Sequence, residues 1–263
     1  MSNRQERRRA ERDAKKTPQR FEMSISLLQP WSVPVIHTKL PPEILNTMIE
    51  LTDEIIDDKQ SVSHGERLAG QIDTELLIPH ELLKRDGTMN FFTDLARQFV
   101  RTALIQNHPK DTQSVMDAEI FIEMLSMWVV SQQPNEYNPI HVHTECHLSS
   151  VMYPKVPKFE PSKKTHRSSD DGSITFISNS SIDTEFSTPT ITITPTVGDF
   201  FIFGAKQLHT VYPYRCEEGD PERRSVSFNA IYETGHNRKL RIDGDSTKGF
   251  GPFLADTKGQ SNN

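Results

Sequence analysis

The sequence predicts an antiparallel β-barrel or jelly roll with helices packed on one of its sheets. Two segments before residue 107 place apolar residues at helical spacing. From Asp117 onward the pattern changes to short runs rich in Ile, Phe, Val and Trp, as buried strands require. Pro, Gly and Asn separate those runs at short intervals, which suits an all-β barrel.

In chain order, residues 1–20 are rich in Arg, Lys and Glu with no apolar face, and read as a solvated tail. Residues 24–37 read as a leading strand interrupted by Pro30 and Pro34. Pro42 suits the first turn of a helix, where its missing N–H costs nothing. Ile44, Leu45, Met48, Ile49, Leu51 and Ile55 then mark an amphipathic helix to about Asp57. Residues 58–86 read as a loop with short apolar pieces such as Glu75–Ile78. Residues 89–106 repeat the helical pattern through Phe91, Leu95, Phe99, Val100 and Leu104.

Ala118–Met127 and Trp128–Ser131 read as two buried strands, and Pro134, Asn135 and Asn138 as a turn. Leu148–Tyr153 is the next strand, followed by an exposed polar loop over 155–172. Short strands follow at Ser173–Ser178, Thr190–Thr194, Asp199–Phe203 and Ser225–Tyr232, with a turn over Pro195–Gly198. The expected organisation is a basic tail over 1–20, one domain over 21–235 and a polar tail over 236–263. Within the domain, helices occupy mainly 41–106 and the barrel mainly 117–232.

Composition excludes several classes. A net charge of −6 argues against a general nucleic-acid binder, leaving only the basic N-terminal tail as a contact of that kind. Two cysteines, Cys146 and Cys216, make no disulfide framework, so a reducing cytoplasm is expected. No apolar run approaches the ~18–20 residues that span a bilayer, and the N-terminus has no apolar signal core. The sequence leaves the oligomeric state open.

The candidate site lies in two segments. His141, His143 and His147 fall within seven residues, flanked by strands, and His209 ends the apolar run that begins at Gly198. In a strand, period-two alternation puts His141 and His143 on one face. Imidazoles converging from two strand ends suit Zn, Cu, Fe or Ni, so the residues alone do not select the metal. His37, His64, His80, His108, His166 and His236 read as ordinary surface or core histidines.

Three blocks resemble the 2-oxoglutarate- and Fe(II)-dependent oxygenases, in particular a bacterial and phage group related to prolyl hydroxylases. The first block is Trp128, Val129, Pro134, Asn138, His141, His143, Cys146, Leu148, Ser149, Ser150, Val151, Met152 and Tyr153. The second is Gly198, Phe203, Leu208, His209 and Val211; the third is Arg223, Ser225, Ser227, Phe228 and Asn229. Their order and spacing cover about residues 28–232. The chain departs from the pattern at Ser150, where the group has glycine, at Met152, where it has tyrosine, and at Phe203-Gly204-Ala205 in place of Phe-Pro-Ser.

The resemblance implies a double-stranded β-helix with flanking helices and a dioxygenase using Fe(II), 2-oxoglutarate and O₂, with ascorbate as reductant. It implies hydroxylation of an unactivated C–H bond in a protein side chain or small molecule, with release of succinate and CO₂. Two frames for the metal remain open. Block alignment pairs His141 with His143, and His209 completes the set. The usual H-x-D/E pattern of the superfamily instead pairs His143 with Glu145, again with His209. His147 would cap or line the mouth.

Arg223 would meet the distal carboxylate of 2-oxoglutarate through its planar fork. Ser225, two residues on, shares its face, and Tyr153 adds a hydroxyl; Arg224 would turn towards the helices. The competing readings are a cupin-like metal barrel with non-oxidative chemistry and a non-catalytic scaffold.

Overall fold

The structure is a computed structural model that describes residues 34–235, apart from 85–86, 108, 162–169, 179–187 and 218. Both tails, the first part of the leading strand, His108, His166 and His236 lie outside the described residues.

The fold is a double-stranded β-helix with helices on one side. Strands are β1 (Val35–Lys39), β2 (Thr74–Leu77), β3 (Ile120–Gln132), β4 (Asn138–His141) and β5 (Leu148–Lys155). They continue with β6 (Ile174–Ile177), β7 (Thr190–Ile193), β8 (Asp199–Gly204), β9 (Leu208–Val211) and β10 (Arg223–Thr234). All pairings are antiparallel, in a six-stranded sheet β1-β8-β5-β10-β3-β2 and a four-stranded sheet β4-β9-β6-β7.

Alternation along β8 shows how the layers form. Phe200 and Ile202 join the core between large sheet and helices, whereas Phe201 and Phe203 join the core between the two sheets. All four are buried, and each such side chain contributes about 1.5–3 kcal/mol. Gly198, at φ +84, makes the turn into β8, a conformation that suits a residue without Cβ.

The helix Pro42–Asp57 begins with proline in its first turn and buries Met48, Leu51, Thr52 and Ile55. The long helix Thr88–Asn107 buries Phe92, Ala96, Phe99, Val100 and Leu104. Its deep seam is therefore Phe92–Ala96, while Phe91 and Leu95 pack at the edge of the core. No helix among the described residues is long and apolar enough to cross a membrane.

Three expectations need correction, the first being that Asn138 lies in a turn: it opens β4 and pairs with Val211 of β9. Residues 58–86 are more than a loop: they carry β2 and a short helix, His80–Leu83. The reason is tertiary, since Thr74–Leu77 pairs along the rim of β3, from Ser131 to Trp128. The two strands expected over 118–131 are a single strand, Ile120–Gln132, because no breaker interrupts the run and β10 pairs along its whole length.

A candidate metal and co-substrate site between the sheets

β10 sets the polar floor of a cavity of about 320 Å³ between the sheets. Arg223, Ser225, Ser227 and Asn229 line it, whereas Val226 and Phe228 pack under the helices. Arg224 also faces outward. It forms a bidentate pair with Glu222 (2.8 and 2.9 Å) and reaches Asp53 (2.5 Å) and Thr52 (3.1 Å) on the first helix.

Three histidines meet in the same cavity. His141 ends β4 directly opposite His209 on β9, and their rings lie 4.1 Å apart. His143 follows the end of β4, its backbone N–H donating to the Ala205 carbonyl at 2.9 Å. That bond turns its ring to 5.3 Å from His209 and 5.4 Å from His141. One ligand nitrogen from each of the three lies within 4.8 Å of the others.

Backbone carbonyls orient two of these rings. His141 Nδ1 is 2.7 Å from the Pro139 carbonyl, and His209 Nδ1 is 2.9 Å from that of Gln207. A carbonyl only accepts, so Nδ1 carries the proton and Nε2 keeps a free lone pair, an arrangement typical of metal-binding histidines. Burial, reinforced by His209 and His141, pushes His143 down to about 3; burial, then His141, pushes His209 down to about 4. Burial lowers His141 as well. All three rings are therefore neutral bases near pH 7, the form that binds a cation without losing a proton.

The sign of the linkage follows. These folded-state values lie below the ordinary 6.5, so the unfolded chain takes up protons first as the pH falls. The metal-free protein is expected to lose thermal stability between pH 6.5 and about 4, which a pH series of melting curves checks. The buried Glu75 contributes with the opposite slope, so the series is read in Glu75→Gln, where flat stability across that window would show that the cluster is not buried in neutral form.

Glu145 does not join the three. It is exposed at the cavity edge, in the left-handed region at φ 59. His147 does not line the mouth, contrary to expectation. Its Nδ1 accepts the Tyr232 N–H at 3.1 Å, and its ring packs on Tyr232.

Arg223 is the largest fully buried side chain among the described residues. Its Nη1 donates to Gln132 Oε1 at 2.6 Å, and the guanidinium carbon lies 4.7 Å from the centroid of the Tyr153 ring. Nε, Nη2 and the Tyr153 hydroxyl make no hydrogen bond of good geometry among the described residues, although the hydroxyl and the guanidinium lie close enough to interact with each other. Ser225 is buried beside them on the same face. Leaving donors of a buried cation unpaired is costly, and the cation itself persists because arginine does not deprotonate. An entering carboxylate would satisfy both nitrogens, so these residues fit 2-oxoglutarate as the three histidines fit a divalent metal.

Sequence reasoning missed Gln132 and Tyr214. Gln132 holds the guanidinium, and the Tyr214 hydroxyl accepts the Arg223 backbone N–H at 3.2 Å. Gln132 shares the inward face of β3 with Trp128 and Val130 through alternation, a signal that was available; Tyr214 lies in a loop and offered none.

A family model described as "Putative 2OG-Fe(II) oxygenase" matches residues 126–229, a span that contains the three histidines and Arg223. No curated protein matches the chain. Among solved structures, the chain is similar to a Pseudomonas putida prolyl-4-hydroxylase at 13% identity and TM-score 0.46, over 75% of this chain and 93% of that one. A 2OG-Fe(II) oxygenase family oxidoreductase from Burkholderia pseudomallei shows 12% identity and TM-score 0.44, over 75% and 85%. The viral collagen prolyl hydroxylase from Paramecium Bursaria Chlorella virus-1 shows 12% identity and TM-score 0.44, over 74% and 94%.

Proposed function

We propose a ligand set and a reaction for this chain, whose strand-rich half belongs to the 2-oxoglutarate- and Fe(II)-dependent oxygenases. Fe(II) is held by His141, His143 and His209, and 2-oxoglutarate by Arg223 with Ser225 and Tyr153. The observation that carries this reading is a single one. Three neutral imidazoles and a buried guanidinium with two unpaired nitrogens line one cavity. With iron, 2-oxoglutarate and O₂ bound, the site would supply the oxidising power to hydroxylate an unactivated C–H bond, yielding succinate and CO₂.

The residues have separable tasks. The histidines supply neutral ligands from β4, β9 and the segment after β4, and no carboxylate among the described residues joins them. Arg223 fixes one end of 2-oxoglutarate by a charge-assisted, forked contact, and Gln132 keeps that fork from rotating. Phe203, 4.8 Å from His209 between ring centroids, covers the buried side of the cluster and excludes water. The substrate is a protein side chain or small molecule entering at the cavity mouth. The catalytic domain spans 21–235, with the flanking tails outside it.

The expected result is succinate release from 2-oxoglutarate with Fe(II) and ascorbate, slow without the substrate, together with binding of 2-oxoglutarate to Mn(II)-loaded protein. Absence of both would move the cupin-like and scaffold readings ahead, since neither requires Arg223 to meet an anion.

A further inference from the structure

One cavity group is left unused by the metal and 2-oxoglutarate. Glu75 lies on β2 opposite Val130, so it shares the inward face of the large sheet with Val130 and Trp128 and lines the cavity. It is only 3% exposed. Neither carboxylate oxygen has a hydrogen-bond donor or cationic partner among the described residues. Burial, then the Glu136 carboxylate, pushes its pKa up to about 7.

The surrounding backbone makes room for this group. A Cβ added at Gly70 would stand 2.7 Å from Glu75 Oε1 and 2.6 Å from Asn138 Oδ1, and one at Gly65 would stand 3.2 Å from Glu75 Oε2. The segment that passes over the carboxyl is thus bare where the carboxyl needs space. Buried carboxylates are ordinarily paired, because an isolated one is costly. An apolar residue on β2 would make the same wall without that cost.

We propose, building on the oxygenase reading, that Glu75 anchors the substrate and that the substrate carries a basic nitrogen, an ammonium or guanidinium group. The negative field of Glu136 reinforces that choice, as does the Trp128 ring two places along the same face, since aromatic faces attract cations. The Trp128 ring lies 5.2 Å from that of His64 and 6.1 Å from that of His143. His64 in turn donates its backbone N–H to the Glu75 carbonyl at 2.8 Å. A molecule held at Glu75 therefore extends along Trp128 towards the metal ligands. The other charged groups lining the cavity are Arg223, which the oxygenase reading gives to 2-oxoglutarate, Glu145 and Arg67, both exposed where solvent screens them, and His64, which burial and then Arg67 keep neutral.

The test uses Mn(II)-loaded protein already shown to bind 2-oxoglutarate, so failure of that first step would count against the oxygenase reading and not against Glu75. N-acetylated peptide pools with Lys, Arg, citrulline, norleucine or Glu fixed centrally are titrated in by calorimetry. The Lys or Arg pool is expected to bind about thirtyfold tighter than its neutral counterpart, the scale of a buried charge pair, and Glu75→Gln to remove most of that preference. Equal or tighter binding of the neutral or Glu pools, no binding by the basic pools, or an unchanged preference in Glu75→Gln would overturn the proposal.

Melting curves guard against a folding artefact. Because the folded value lies above the ordinary 4.5, Glu75 contributes stability that is lost as the pH rises from 4.5 to about 7, against the opposite slope of the histidines, and Glu75→Gln escapes that loss. The variant should therefore melt at or above the wild-type temperature at pH 8. A lower melting temperature there would mean that the carboxylate is structurally paired, and would also overturn the assignment.

Discussion

His209→Ala is expected to abolish Fe(II) binding at ordinary concentrations and all metal-dependent turnover. His209 is 4% exposed and lies at the centre of the cluster, close to both other rings. Losing a residue that merely supports a ligand typically costs ~10–100-fold in metal affinity, so losing a ligand should cost at least ~100-fold. The same titration separates the two frames for the remaining ligands. His141→Ala should lose iron, whereas Glu145→Gln should keep most of it, because Glu145 is exposed and outside the cluster. Iron affinity unchanged in both His143→Ala and His209→Ala would sink the metal site. Loss in Glu145→Gln with retention in His141→Ala would instead establish a two-histidine, one-carboxylate centre reached by rearrangement of the segment after β4.

Arg223→Met should raise the 2-oxoglutarate requirement at least about thirtyfold, since losing a buried charge partner typically costs ~2–5 kcal/mol. Fe(II) binding should stay nearly intact, because no ligand is touched. Arg224→Met is the built-in control. Its guanidinium is fully engaged with Glu222, Asp53 and Thr52 on the opposite face, so its loss should lower thermal stability while leaving the 2-oxoglutarate requirement close to wild type. If Arg224→Met were the variant that lost 2-oxoglutarate, the assignment of Ser225 would fall with that of Arg223. If neither variant altered the requirement, 2-oxoglutarate would not be the co-substrate.

Much of this architecture was legible in the chain because it rests on local periodicity. The alternation Arg-Ser-Ser-Asn against Arg-Val-Phe-Ala over 223–230 separates a polar from an apolar face by its period of two alone. The fold places the first set in the cavity and the apolar members of the second under the helices. The spacing of His141, His143 and His209 was equally visible, although simple alternation was not what aligned the pair. β4 stops at His141, and the Ala205 carbonyl, distant in sequence, orients the segment that carries His143.

What the sequence by itself determined is the set of parts: the two long helices, most of the strands, the face each residue of β10 presents, and the candidate ligands. Tertiary structure decided which parts meet. His141 and Glu145 are rival partners for His143 as sequence patterns, but only His141 meets His209, with 4.1 Å between their rings, while Glu145 stands exposed with a left-handed backbone. β2 has too little periodicity to declare itself in four residues, and becomes a strand because the edge of β3 offers it hydrogen bonds. Glu75 gained its buried, unpaired position from that pairing and from the bare backbone at Gly65 and Gly70. Period and propensity act over neighbouring residues, whereas desolvation and the absence of a partner depend on what long-range packing brings alongside.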